Sequence, residues 1–413
     1  MNKEYVLNLI TGKEYYSIDD LRYNQKLGFL FSKEKFSEFL SIKEQLVDEK
    51  DPHIKEIPLK AFNSKYCFFV KGEYLNSLKS EYERLLFSDY EMNKSFLFDR
   101  NIEDILKSRL FSEIEGTLNI ENVPTTHKRI VELHKNAEPK DENDIIVKNM
   151  IRAVQYIVEE APAFNKENLR RLYHMLSNGC LADEIKLKEG AYYRDDNVYI
   201  GEYEGASYQE IDTYMDSLFT FANDEAMIKE YGDFLPHICH YYILYVHPYF
   251  DYNGRTARMV SFWLNYVHRI VTAPYFMSEA INENKGNYYR ALVNTRSTGN
   301  DLTYFLGYIL DTAIQYSFVY KNLEEMRKEL AKTGDTLTSG EWVYVKKILV
   351  HNAENYFNPK MFLDYIHTNM TRQGAIKILD HLTGYGILEK SKNKKGDNIY
   401  KLRQEWITYR YVT

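Results

Sequence analysis

The stretch His247-Pro248-Tyr249-Phe250-Asp251-Tyr252-Asn253-Gly254-Arg255-Thr256-Ala257-Arg258 gathers an imidazole, a carboxylate, an Asn-Gly pair and two guanidinium groups into one turn and the start of one helix. Each type has a use around a polyphosphate. A helix N-terminus carries partial positive charge and unpaired N–H donors, and consecutive loop amides can form an anion-binding nest. Arg255 and Arg258 lie three apart, hence on one helix face, as two forked donors for phosphate oxygens. Asp251 offers a hard oxygen to Mg²⁺, which usually bridges phosphates rather than sitting in an all-protein cage. His247 is the group able to accept a proton near neutral pH. Taken singly, each residue reads as well as a buried histidine or a solvated helix start. Together they fill every role, and the stretch reads as a site.

Two helices must hold it. Phe234 to Val246 is apolar enough to be a buried helix. The segment from Arg255 to Arg269 carries Ala257, Val260, Phe262, Trp263, Tyr266 and Val267 at helical spacing. His-Pro ends the first helix and Asn-Gly opens the second. The order is helix, tight loop, helix, and the second helix turns its free N–H groups towards whatever the loop encloses.

At these residues the chain resembles the Fic family, whose signature runs His-x-Phe-x-Asp/Glu-Gly-Asn-Gly-Arg-x-x-Arg. The resemblance implies an all-helical core that transfers AMP from ATP to a protein hydroxyl and releases pyrophosphate. By position it makes His247 the general base towards a target Ser, Thr or Tyr, and Asp251 the Mg²⁺ ligand. Asn253, Gly254 and Arg255 become the phosphate cradle, and Arg258 the residue that orients the γ-phosphate. His247, Asn253 and Arg255 are the catalytic set. Two positions depart. Tyr249 replaces Phe, and both fill an apolar slot. Tyr252 replaces a usual Gly or Ala, and a Tyr is strained there if the backbone needs a positive φ or a close approach to phosphate.

The resemblance extends to weaker signals. Many Fic proteins carry an inhibitory Ser/Thr-x-x-x-Glu-Gly/Asn motif on a helix beside the active site. In Phe111-Ser112-Glu113-Ile114-Glu115-Gly116-Thr117 the end matches, with Phe111 where Ser or Thr is expected. This expectation pairs Glu115 with Arg258, a bidentate contact that would take away the arginine meant for the γ-phosphate. Gly116 is read as the stop of that helix. The glycine-bounded, β-prone Gly190 to Gly201 resembles the Fic flap, a hairpin whose edge pairs with an extended target segment. Tyr288 or Tyr289, after the signature helix, is a candidate to stack on adenine.

Composition bounds the rest. At 413 residues and 44% hydrophobic the chain is globular and long enough for two or three domains. The 37 tyrosines are spread along it and receive no role. A net charge of −7 argues against a chain-wide nucleic-acid surface. Cys67, Cys180 and Cys239 lack metal-ligand spacing, and three sparse cysteines fit a reducing compartment. Met1 to Tyr15 lacks the apolar core of a signal peptide, and no window approaches a membrane span. A cytoplasmic protein without membrane contact is expected.

The expected fold is mainly α. Residues 1–97 form an N-terminal mixed accessory region, with helix at Lys33–Glu49 and a strand pair within Ala61–Val70. Residues 98–330 are the Fic-type helical bundle with its flap and inhibitory helix, helical from Asn101, with Asn119–Asp141 a loop-rich connection. After a linker at Ala331–Ser339, residues 338–413 read as three short helices and a basic-tipped hairpin, resembling a winged helix. That region is net positive but not strongly basic, so DNA and protein partners stay equally open.

Three functions follow. The first is an autoinhibited protein adenylyltransferase acting on unknown targets and on itself, with ATP as substrate and Mg²⁺ as cofactor, and homo-oligomers possible. The second is removal of AMP at the same site, with Glu115 positioning water. The third is a DNA-binding regulator that uses the Fic core as a nucleotide sensor.

Overall fold

The computed structural model describes residues 1–24, 30–98, 103–270, 277–334, 337–352, 355–366 and 370–407. Its described residues are mainly helical, with three two-stranded antiparallel ladders. By their internal contacts they fall into two units, Met1–Asp311 and Thr312–Thr413.

The first unit opens with α1 (Lys3–Thr11), α2 (Ile18–Tyr23) and α3 (Lys33–Asp48). Asn2, Ser17 and Ser32 cap them through side-chain oxygens that accept from backbone N–H groups. Val6, Ile10, Phe39, Ile42 and Leu46 bury a small core against the hairpin of β1 (Ile54–Lys60) and β2 (Tyr66–Val70). The strand pair therefore begins earlier than expected, and Ala61–Lys65 is its turn. Ile54, Ile57 and Leu59 point inward from β1, while Pro58 interrupts the run and masks it as a strand.

Next come α4 (Glu73–Phe98) and α5 (Glu103–Ile120). Asn101, where the helical pattern was expected to begin, lies outside the described residues. Gly116 does not end its helix, since α5 continues to Ile120. A Cβ on Gly116 would stand 2.4 Å from the backbone nitrogen of Glu279. The glycine is required by the close approach of the Met277–Glu283 helix, not by a turn. Helix α6 (His127–His134) forms inside the stretch expected to be a loop, capped by Thr126 and buried through Ile130 and Leu133. Two apolar residues are too few to show a period in sequence.

The bundle is completed by α7 (Glu142–Glu160), α8 (Lys166–Ser177), the short ladder of β3 (Tyr199–Ile200) with β4 (Tyr203–Glu204), α9 (Ile211–Asn223), α10 (Glu225–Tyr231), α11 (Leu235–Val246), α12 (Asn253–Val267), α13 (Met277–Glu283), α14 (Lys285–Ser297) and the first part of α15 (Thr303–Thr333), which from Thr312 onward belongs to the second unit. The hairpin begins only at the C-terminal end of its expected window, its second strand lies beyond that window, and it turns at Gly201, whose φ is +61°. Helices α11 and α12 are buried on nearly every face and form the centre of the bundle. Gly232, at φ +47°, ends α10, and α11 fills the segment expected as a buried helix from Phe234 to Val246.

In the second unit, α16 (Ser339–Asn352), α17 (Pro359–Ile366) and α18 (Arg372–Gly384) precede the hairpin of β5 (Leu388–Lys392) and β6 (Asn398–Leu402). Ile348, Phe362, Leu379, Leu382, Leu388 and Tyr400 share its core. Helix α15 reaches Thr333, within the expected linker, and 335–336 lie outside the described residues.

Candidate active site

Helix α11 ends because His247 turns left-handed, at φ +56°, while its N–H still donates to the Ile243 carbonyl at 2.8 Å. Pro248 cannot continue the helix. The loop is then braced by Asn253. Its Oδ1 accepts from the Tyr249 N–H at 3.0 Å, and its Nδ2 donates to the Tyr249 carbonyl at 2.8 Å. The Tyr249 ring stacks on Tyr173 with centroids 3.7 Å apart. With its side chain engaged in this way, Asn253 faces the cradle through its backbone N–H, in the first turn of α12.

Tyr252 sits at the N-cap of α12 with φ +67° and ψ 7°. The position does need a positive φ, the case in which a tyrosine is strained. No described side chain caps α12, so the first N–H groups face outward with neither a cap nor an intrahelical acceptor. The Tyr252 N–H donates to Asp251 Oδ1 at 2.6 Å. Arg255 lies over the Tyr252 ring, 3.4 Å from its centroid, and its Nη2 is 3.8 Å from Asp251. Arg255 is 6% exposed, and its buried Nε has no hydrogen-bond partner.

His247 is half-buried, and burial lowers its pKa to about 4. The nearby Arg194 charge lowers it further, while the Leu244 carbonyl, Asp251 and Glu121 oppose the shift. At neutral pH the imidazole is uncharged and keeps a lone pair for a proton. Arg194 is 2% exposed and donates Nε to the His247 carbonyl at 2.9 Å. Its other nitrogens reach the Asp196 and Ala206 carbonyls, and its own N–H donates to the Pro248 carbonyl at 3.0 Å. One guanidinium thus ties the segment leading into the hairpin to the backbone of the base. Sequence reasoning met Arg194 only as part of the flap pattern.

The hairpin is seated by rings. The Tyr203 hydroxyl donates to the Tyr245 carbonyl, and Arg296 lies 3.9 Å over the Tyr203 ring. From the turn between β1 and β2, Phe62 stacks on Tyr245 with centroids 4.1 Å apart and lies 6.3 Å from Tyr203. The N-terminal accessory region therefore props the hairpin. Tyr199 and Ile200, on the other strand, are exposed.

The expected partner of Arg258 is corrected. Arg258 is 4% exposed and donates Nη2 to Glu121 Oε1 at 2.6 Å and Nε to the Thr117 hydroxyl at 2.7 Å. Glu115 faces α6 instead, 4.0 Å from the His127 ring. Glu115 and Glu121 are six apart, which on a helix of about 3.6 residues per turn sets them roughly 120° from each other, on different faces. The signal was in the sequence: Thr117-Leu118-Asn119-Ile120-Glu121-Asn122 matches Ser/Thr-x-x-x-Glu-Gly/Asn in full. Burial opposes charge on Glu121, yet Arg258 and then Arg255 hold its pKa below the usual carboxylate value. Burial likewise opposes charge on Arg258, and Glu121 more than offsets it. A Cβ on Gly254 would stand 2.5 Å from Glu121 Oε1, so this carboxylate lies directly against the N-terminal turn of α12.

Tyr288 is also corrected. It is 1% exposed, its hydroxyl lies 2.8 Å from His240 Nε2, and it lies near enough to Arg258 to feel its charge. A ring so enclosed supports the arginine and cannot stack on a base. Tyr289 is 47% exposed, near enough to Glu121 and Arg258 to feel their charges.

Residues 163–264, from the start of α8 to the body of α12, match the Fic/DOC family. The chain carries a Fic/DOC-family domain. Among solved structures it is similar to a Fic family protein from Desulfovibrio desulfuricans, at 16% identity over 80% of this chain and 96% of that one, with a TM-score of 0.48. It is also similar to Fic-1 (residues 134–508) from C. elegans, at 16% identity over 61% and 74%, with a TM-score of 0.46. A Fic-domain signalling protein from Bacteroides thetaiotaomicron matches at 17% identity over 59% and 94%, with a TM-score of 0.42. Helix α5 and Glu121 lie outside the matched span, so the carboxylate facing the Fic domain's arginine comes from a segment N-terminal to it.

The Fic domain's expected metal ligand is Asp251, whose side chain is 53% exposed. Among the described residues no cluster of three or more His, Cys, Asp or Glu could hold a metal ion. A single exposed carboxylate, steadied by the Tyr252 N–H, suits a Mg²⁺ whose other ligands are phosphate oxygens and water. None of the described helices is long and apolar enough to cross a membrane.

Proposed function

We propose that the Fic domain transfers AMP from ATP to a Ser, Thr or Tyr hydroxyl of a protein, this chain included, and that Glu121 restrains it. Fic domains commonly transfer a nucleotide to a protein. The observation that carries the restraint is the position of Glu121, against both Arg258 and the N-terminal turn of α12. An anion bound to that turn and to Arg258 would meet a carboxylate already there.

The polyphosphate would take the first N–H groups of α12, the Arg255 fork and, once Glu121 withdraws, Arg258. His247 Nε2 or Nδ1 accepts the proton of the target hydroxyl. The hydroxyl oxygen bonds to the α-phosphorus, the bond to the bridging oxygen breaks, and pyrophosphate leaves with the electron pair. Asp251 would hold Mg²⁺, which supplies charge to the phosphate oxygens when bound. The N-terminus of α12 lies where negative charge grows. Exposed Tyr199 and Ile200 suit an extended target segment beside β3.

A second reading is favoured by the same placement of Glu121, against the N-terminal turn of α12 that the His247 loop leads into. In AMP removal the same carboxylate would position the attacking water. One assay separates the two. Protein is incubated with Mg²⁺ and α-labelled ATP as wild type, Glu121→Gly, and Glu121→Gly with His247→Ala. Label that rises in the single variant and vanishes in the double supports restrained transfer. Label absent from all three, with wild type alone able to strip AMP from a pre-modified protein, supports removal.

A further inference from the structure

Tyr252 stands where a small residue is usual, in a left-handed conformation at φ +67°, and 3% exposed. A bulky residue persists in that region only when its surroundings hold it there. Two contacts do so. The ring carries the Arg255 guanidinium at 3.4 Å from its centroid, and the phenol lies beside the Cys180 thiol. The first contact is unusual in what it leaves unused. Arg255 is buried, yet among the described residues no group accepts a hydrogen bond from it, and Asp251 is no nearer than 3.8 Å. A stacked guanidinium keeps its five N–H donors in the plane of the fork, available at its edge.

We propose that Tyr252 is a positioning residue, whose ring presets the plane of the Arg255 fork for the diphosphate of the nucleotide at the α12 N-terminus. This rests on the nucleotide reading above. A free arginine must lose side-chain freedom to bind phosphate bidentately, whereas one already stacked has lost most of it. The tyrosine also closes the side of the cradle that a glycine would leave open, so Arg255 cannot swing out to solvent. The strain at Tyr252 and the unused donors of Arg255 then have one explanation. The loop accepts an unfavourable backbone to keep one cation in register.

The test uses the full chain with Glu121→Gly as parent, and ADP with Mg²⁺ as probe in isothermal titration. Tyr252→Phe keeps the ring face and is expected to bind ADP within about two-fold of the parent. Tyr252→Leu keeps apolar bulk and the same backbone strain but removes the face. It is expected to weaken ADP binding about five- to thirty-fold, the range of a partly desolvated cation–ring contact. Arg255→Gln is expected to lose more, and Tyr252→Leu added to it to change nothing further. Parent-like binding by Tyr252→Leu, or losses that add in the double variant, would overturn the proposal while leaving the nucleotide reading intact. A folded parent that binds no ADP would overturn both. Thermal melting run alongside identifies any variant that has lost its fold, and there the Tyr252→Phe and Arg255→Gln pair decides the outcome.

Discussion

The Glu121 carboxylate accepts from Arg258 Nη2 at 2.6 Å while the Thr117 hydroxyl, four residues earlier, accepts from Arg258 Nε at 2.7 Å. The last turn of α5 and the residue after it thus hold the guanidinium at two points. A ligand that needs Arg258 must displace the carboxylate but can leave Thr117 in place. Glu121→Gly is expected to tighten binding of a non-hydrolysable ATP analogue, whose γ-phosphate needs Arg258, on the order of ten-fold or more, the usual size of a coupling between two competing partners. Glu115→Gly should leave it unchanged. Isothermal titration checks both.

The proton acceptor sets a pH limit. His247 has its pKa lowered to about 4, so kcat/KM for transfer should stay level from pH 7 downward and fall only as pH drops through about 4. An imidazole at its ordinary 6.5 would give the fall two units or more higher. The stability sign follows from the same shift. Between 6.5 and about 4 the unfolded chain binds the proton and the folded one does not, so His247 favours unfolding as pH falls through that window. A pH–rate profile of the Glu121→Gly protein is the check, with His247→Ala as the inactive control.

Gly116 tests the seat of α5. A Cβ there would meet the Glu279 backbone at 2.4 Å, and neither helix can yield without moving the other. Gly116→Ala is expected to cost about 1–3 kcal/mol, as overpacking does elsewhere. Denaturant unfolding measures it. If α5 shifts as a body, the same variant should also loosen the grip of Glu121 on Arg258 and bind a non-hydrolysable ATP analogue more tightly.

Phe62 tests the prop beneath the flap. Its ring stacks at 4.1 Å on Tyr245, whose carbonyl receives the Tyr203 hydroxyl. Stacked aromatic pairs are worth about 0.5–1.5 kcal/mol. Phe62→Ala in the Glu121→Gly background should therefore slow self-modification about two- to ten-fold without changing ADP affinity. A matching loss of ADP affinity would place its effect in the whole bundle instead.

What the sequence determined by itself is local. His247 to Arg258 could be read as helix, turn and helix because helix breaking by His-Pro and Asn-Gly, burial of an apolar run and the donors of a helix start are all properties of neighbours in the chain. The positive φ at Tyr252 could be anticipated for the same reason. What only the tertiary structure decided involves residues far apart. Which carboxylate meets Arg258 depends on how α5 and the residue after it pack across more than 130 positions of sequence; the spacing from Thr117 to Asn122 marked Glu121 as a fuller match than Glu115 but could not show the contact. Gly116 looked like a stop because a glycine frees the backbone, but α13 packs against it and uses its missing side chain. Tyr288 looked like a base-stacking ring because an aromatic reads the same whether buried or open, until the fold enclosed it beside His240. Spacing along the chain records which groups share a helix face. It does not record what that face will meet.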